Sequence, residues 1–397
     1  EMVLKDDKIK FEENVEDIGD VTESSINNVQ EASVNQERAT SKHSKYAWGV
    51  KTTGMYKYSK FIEEKSYSQI VRVAVVDSGI RTTHEIFKDR IDMTYAGAYG
   101  EYFGDGTTID VSDEKGHGTN VAGIIAEATP KNVKIVPVKC DLKVTSELEA
   151  LRAIANNVDI INCSFGGYHD SEVNKIEDEV LKEVMNKNTI IVCSSGNDGD
   201  KTGYDYENFY PSASPYTISV GATDINRKIA NFSNYASSVD FTAPGANLSV
   251  PTRDGDDTYE NGSGTSFSSP LVTAAFALLK IENPSYSVDR LKTELIKHCD
   301  DLGEEGKDKY YGYGEINFFK NKFLTPTIVE ADSEQKWGKD EIFTLSVEGI
   351  NNITHYYASM GQTAPSDDKW KEFSTDSSGV HKFFNMSIRG KRNGTCY

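Results

Sequence analysis

Short runs of β-branched residues alternate with stretches of helical period through the middle of this chain. Ile70-Val71-Arg72-Val73-Ala74-Val75-Val76, Val133 to Val138, Val158 to Cys163 and Thr189 to Cys193 are largely apolar at both alternating positions, which marks strands covered on both faces. Helical patterns run over Ser146 to Asn156, Ser171 to Asn186 and Val288 to His298, and two helices of small apolar residues are expected from Gly116-His117 and through Leu271 to Leu279. Strand and helix in alternation predict an α/β domain with a central parallel sheet and helices on both sides, three layers in all.

The pattern changes at both ends. Residues 1–44 hold eleven acidic side chains against five basic ones, with scattered apolar positions, so they read as an acidic linker or the tail of a prosegment that cannot order itself alone. The α/β domain is assigned to residues 45–322. Residues 323–397 turn to short alternating or aromatic segments, Glu341 to Glu348, Ile353 to Ser359, Trp370 to Ser374 and Val380 to Ile388. They predict a β-rich, sandwich-like accessory domain that ends abruptly at Cys396-Tyr397, as a truncated domain does.

Charge removes some functions. The 397 residues carry 62 acidic and 43 basic side chains, a formal charge of -19, which argues against the basic face that nucleic acid requires. No stretch is long and apolar enough for a transmembrane helix and no signal-peptide pattern opens the chain, so it is expected to start after a removed signal or to stay in the cytoplasm. The acidic balance fits an exported, extracellular protein. The five cysteines, Cys140, Cys163, Cys193, Cys299 and Cys396, form no CxxC pair, and buried free thiols are expected rather than a disulfide framework or a zinc site.

The candidate chemistry gathers at element ends. Asn261-Gly262-Ser263-Gly264-Thr265-Ser266 precedes a buried helix, so Ser266 stands where backbone N–H groups and the helix dipole favour negative charge. A serine there is ordinarily just a cap, and partners have to make the case. Asp77 closes a core strand in Asp77-Ser78-Gly79, and His117 lies in Gly116-His117-Gly118-Thr119. Attack on a peptide carbonyl needs a hydroxyl, an imidazole to take and return its proton, and a carboxylate to orient the imidazole; Ser266, His117 and Asp77 supply those groups. The other histidines, among them His84, His169 and His298, have no such constellation and read as surface or structural.

Val75-Val76-Asp77-Ser78-Gly79-Ile80, Gly116-His117-Gly118-Thr119 and Gly264-Thr265-Ser266-Phe267-Ser268-Ser269-Pro270 resemble, in order, the three signature blocks of the subtilisin-like serine proteases, the subtilases. The resemblance covers about Tyr46 to Asn317. It implies a subtilisin-like fold, a secreted endopeptidase made as a zymogen with its own prosegment as a partner, and peptide or protein substrates. It also implies an oxyanion hole from the Asn197 amide and the Ser266 backbone N–H. Ser164, Phe165, Gly166 and Gly167 look like the family's substrate-binding edge, on which an extended peptide pairs as an added strand, with Lys143-Val144-Thr145 as the opposite edge. The pocket for the side chain before the cut bond would lie between this edge and the loop after Asn197. That loop carries Asp198, Asp200, Asp205 and Glu207, so an acidic pocket preferring Lys or Arg is one expectation and a solvated loop the other.

Departures from the family pattern bear on metal. His84-Glu85-Ile86-Phe87 lacks an aspartate that many members carry, and the stretch from Ala126 to Val133 is too short to wrap the family's calcium ion. No metal ligand and no required cofactor are therefore assigned, while calcium at acidic loops such as Asp254 to Asp257 stays open. Phe267 and Ser268 replace the usual Met and Ala after the nucleophile. Two alternatives remain beside a general endopeptidase: a narrow-specificity processing protease, and a catalytically silent scaffold or adhesin whose C-terminal domain contacts a cell wall or a protein.

Overall fold

The computed structural model describes residues 47–100, 110–141 and 143–320, with short strand segments at 10–11, at 104–105 and between 327 and 396. The chain divides into two units, 1–318 and 319–397.

In the first unit, helices α1 (Trp48–Thr52) and α2 (Met55–Glu64) lead into strand β1 (Val71–Asp77) and the short β2 (Gly97–Gly100). Helix α3 (His117–Ala128) and β3 (Val133–Cys140) follow, then α4 (Val144–Ile154), β4 (Ile160–Cys163), β5 (Phe165–Tyr168) and α5 (Ser171–Met185). The chain continues through β6 (Ile190–Ser194), β7 (Phe209–Tyr210), β8 (Ile218–Thr223) and β9 (Val239–Pro244). Helices α6 (Thr265–Glu282) and α7 (Val288–Ile296) and strands β10 (Cys299–Asp300) and β11 (Glu315–Ile316) complete it.

The principal sheet has ten strands; across it from one edge run β10, β11, β9, β8, β6, β4, β1, β3 and β2, ending at the segment 104–105. From β11 to β2 neighbouring strands are parallel, and each edge is closed by one antiparallel pair. β1 lies between β3 and β4 although both follow it in the chain. The strand order reverses at β1, so Asp77 at its carboxyl end occupies the switch point where open α/β sheets form their crevice.

Alternation along β1 explains the layers. Val71, Val73 and Val75 pack with α2, α3 and α6 on one face, and Ala74 and Val76 pack with α4 and α5 on the other. Helix α6 is buried from Thr265 to Ile281, and a helix apolar all round belongs in the interior. Only Lys280 carries charge along that stretch, and its ammonium reaches the Tyr286 carbonyl at 3.3 Å.

The expected helices at Ser146 to Asn156 and Val288 to His298 form with slightly different ends. Lys143-Val144-Thr145 does not form a free edge strand: Val144 and Thr145 open α4, with Lys143 in the capping position. In the second unit, Thr327–Glu330, Phe343–Ser346 and Val380–Lys382 pair antiparallel. Two further antiparallel pairs join 355–356 to 371–372 and 358–359 to 395–396; the rest of residues 323–397, and most of residues 1–44, lie outside the described residues.

Candidate active site

Asp77 and His117 meet across the junction of β1 and α3. His117 is the first residue of its helix, and its Nδ1 lies 2.9 Å from Asp77 Oδ1 and 3.0 Å from Oδ2. Asp77 is fully buried and also accepts the Ser78 N–H at 2.7 Å. A carboxylate on Nδ1 fixes the tautomer and leaves Nε2 on the opposite edge of the ring to exchange a proton. Such closeness needs a residue without a side chain at 118, because a Cβ on Gly118 would stand 2.1 Å from the Gly79 carbonyl oxygen.

Asp113 ties this junction together. One of its oxygens accepts from Ser78 Oγ and from the N–H groups of Lys115 and Gly116, and the other accepts from the N–H and hydroxyl of Thr119. The carboxylate thus caps the start of α3, where orphan N–H groups and the dipole both favour an anion. Ser78 Oγ in turn accepts from the Gly118 N–H at 3.0 Å. Sequence reading passed over Asp113 and Ser78, although an acid a few residues before a helix start is a capping signal.

Ser266 is the second residue of α6 and is fully buried. Pro270 in the same helix has no N–H to give the Ser266 carbonyl. Ser164 Oγ supplies that bond at 3.0 Å, and its own lone pairs are met by Asn162 Nδ2 and Ser269 Oγ, both at 2.8 Å. Ser266 Oγ donates to the Ser164 carbonyl at 3.3 Å. The residues that distinguish this block also pack closely: the Phe267 ring centroid lies 6.2 Å from that of His117, and Ser268 Oγ donates to the Ala243 carbonyl at 2.9 Å.

Asn197 follows β6 and faces the start of α6. Its Oδ1 accepts from the Thr265 N–H at 2.9 Å and from the Thr265 hydroxyl at 3.0 Å, which turns Nδ2 the other way. Nδ2 is buried and has no hydrogen-bond partner among the described residues, an expensive state for a polar group unless a ligand meets it. A Cβ on Gly264 would stand 3.2 Å from Asn197 Nδ2, 3.7 Å from Ser266 N and 3.9 Å from Ser266 Oγ. The bare side of Gly264 therefore faces two donors and a hydroxyl together, the set of groups an oxyanion site needs.

Ser164 and Phe165 are fully buried, so they offer a substrate backbone groups and not side chains. One edge of β5 pairs antiparallel with β7 and the other with Lys10–Phe11, in the register Lys10 to Gly166 and Phe11 to Phe165. Of the acidic loop, Asp198 reaches this edge, its Oδ2 accepting from the Tyr168 hydroxyl at 3.3 Å. Asp198 pairs with Lys201 at 2.7 Å and Glu207 accepts from the N–H and hydroxyl of Ser237, while Asp200 and Asp205 are exposed. The thiols of Cys140, Cys163, Cys193 and Cys299 are buried, and burial pushes the Cys163 thiol upward, away from the reactive thiolate.

The turn after α3 is held by a buried cation. Its carbonyls are taken by the buried guanidinium of Arg90, which donates to Ala126 O at 2.6 Å, Thr129 O at 3.0 Å and Val133 O at 3.0 Å, and to the Thr129 hydroxyl at 2.5 Å. Near Asp254 to Asp257, Asp256 is engaged by Arg81 at 2.8 Å. Among the described residues no group of three or more His, Cys, Asp and Glu side chains is arranged to hold a metal ion.

The fold and this constellation define a class of protein. The model of the subtilase family matches residues 68–314, and the chain belongs to that family. It is 33% identical over 262 residues to the minor extracellular protease Epr of Bacillus subtilis (strain 168), covering 62% of this chain and 38% of that protein. It is 29% identical over 352 residues to the cell wall-associated protease of the same organism, covering 77% of this chain and 37% of that one. The chain thus spans under two fifths of the length of these relatives. The crystal structure of a lanthipeptide protease superposes with a TM-score of 0.60 at 24% identity, covering 70% of this chain and 94% of the other, and shares the fold.

Proposed function

We propose that the chain is a serine endopeptidase that hydrolyses peptide bonds through an acyl-enzyme. Ser266 Oγ attacks the carbonyl, His117 Nε2 takes its proton, and Asp77 holds the imidazole and stabilises its charged form. The oxyanion forms between Asn197 Nδ2 and the Ser266 N–H. His117 then returns the proton to the leaving amine, and water repeats the sequence on the acyl group. No step needs a metal ion or cofactor. The observation that carries this reading is a buried amide donor beside Gly264 and Ser266 whose other end is tied to Thr265.

The substrate class is an extended peptide segment paired along β5, with Ser164, Phe165, Gly166 and Gly167 as its backbone contacts. The antiparallel Lys10–Phe11 pairing supports this, since it places an extended segment of the chain on that same edge. It also supports residues 1–44 as prosegment-derived chain acting as an internal partner. Export is supported by the extracellular and cell wall-associated relatives. Residues 323–397 are assigned to a sandwich-like accessory domain suited to contacting a wall polymer or protein.

A fluorophosphonate probe tests the reading. It is expected to label Ser266, Ser266→Ala is expected to abolish labelling, and the folded chain is expected to fragment a denatured protein. A folded chain that neither labels nor cleaves would favour the silent-scaffold alternative.

A further inference from the structure

The space for the side chain before the cut bond lies between two walls, strand β5 and the segment 194–197 that ends at Asn197. Each wall carries a glycine, and both glycines face one aromatic ring. A Cβ on Gly166 would stand 2.4 Å from Phe209 Cε1, 2.6 Å from the Tyr210 carbonyl oxygen and 2.8 Å from Phe209 Cζ, and a Cβ on Gly196 would stand 2.0 Å from Asn234 Nδ2 and 3.3 Å from Phe209 Cδ1. Phe209 comes from a third element, β7, paired with β5 through Tyr168 and Phe209. It is 5% exposed, and its ring centroid lies 5.1 Å from that of Tyr168 in an edge-to-face arrangement.

We propose that Phe209 determines specificity by filling this pocket, so that the chain cleaves after Gly, Ala or Ser and rejects aromatic, long aliphatic and basic side chains. The proposal rests on Ser266 being the nucleophile and names the substrate class of that same site. Its physical basis is close packing: a ring wedged against two backbone walls cannot yield the volume of a second large side chain without moving those walls. It departs from the acidic pocket expected from Asp198, Asp200, Asp205 and Glu207: Asp198 meets β5 through the Tyr168 hydroxyl at 3.3 Å and is paired with Lys201, while the ring common to both walls is that of Phe209. The bare glycines then serve to admit the ring and not a large substrate side chain.

The test is a peptide series in the full chain, varied only at the residue before the cut, with rates normalised to the fraction labelled by a fluorophosphonate. Wild type is expected to favour Ala over Phe, Leu and Arg by about 100-fold in kcat/KM, the scale on which pocket size discriminates. Phe209→Ala is expected to reverse much of that preference toward Phe and Leu while Ala substrates are still cut. Phe209→Val, which keeps a buried apolar side chain, is expected to shift part of the way and covers the case in which the alanine variant does not fold. Labelled wild type that cuts after Phe, Leu or Arg as fast as after Ala overturns the proposal alone. An unchanged profile in a labelled Phe209 variant also overturns it. A folded wild type that does not label overturns both the Ser266 reading and this proposal.

Discussion

Ser164 and Ser266 are bonded to each other in both directions: Ser164 Oγ donates to the Ser266 carbonyl at 3.0 Å, and Ser266 Oγ donates to the Ser164 carbonyl at 3.3 Å. The first bond exists because Pro270 cannot make it within the helix, and the pair joins the substrate edge to the nucleophile. Ser164→Ala is expected to destabilise the chain by about 1–3 kcal/mol, the range for leaving a buried acceptor unpaired. Pro270→Ala restores an N–H at the right helical position, so the double variant is expected to recover part of that loss. Urea unfolding of the four proteins in the cycle measures the coupling.

Asn197 has separable ends. Asp at this position keeps an acceptor for the Thr265 N–H and hydroxyl but loses the donor aimed at the space beside Gly264. Asn197→Asp is therefore expected to lower kcat by about 100- to 1000-fold, the usual consequence of losing one oxyanion donor. KM is expected to change little. Steady-state kinetics on a peptide ester would reveal the split, and a fall confined to KM would contradict the assigned role.

Glu147 gives the fold a pH dependence. Its side chain is fully buried and neither carboxyl oxygen has a hydrogen-bond partner among the described residues. Burial first, and then the neighbouring Glu177 charge, push its carboxyl well above the ordinary glutamate range. Glu177 is itself raised by burial, although its bond to His169 Nδ1 at 2.9 Å acts the other way. The folded chain therefore keeps a proton at Glu147 where the unfolded chain has lost it. Stability from this group is full below the ordinary glutamate range and falls as pH rises through the raised folded value. Glu147→Gln, which mimics the protonated acid, is expected to flatten the decline in urea midpoint between pH 5 and pH 8.

Arg90 holds the end of α3 by the four bonds to Ala126, Thr129 and Val133. Burial lowers its guanidinium to about 10, so it is charged at neutral pH. Arg90→Met is expected to cost about 3 kcal/mol or more, since several buried carbonyls lose a charged donor together. Arg90→Lys keeps the charge with less suitable donor geometry and is expected to fall between the two. Denaturant midpoints check the order.

Sequence alone pointed to the α/β layers and named the triad candidates. Asp77, His117 and Ser266 were legible because each lies at the end of a strongly apolar element with glycine neighbours, a pattern that chain-local physics reads directly. Cys163 and Cys193 are register partners on adjacent parallel strands. Contacts between distant segments required the tertiary structure. The capping by Asp113, the Ser164 bond to Ser266 and the Arg90 clamp depend on which lone pairs meet which donors after the chain has crossed the sheet, and no periodicity encodes that. The approach of Phe209 to Gly166 and Gly196 is of the same kind, since the pairing of β7 with β5 brings the ring there. Burial pattern dictates which face of an element turns inward, whereas packing between elements decides which side chain occupies a given volume.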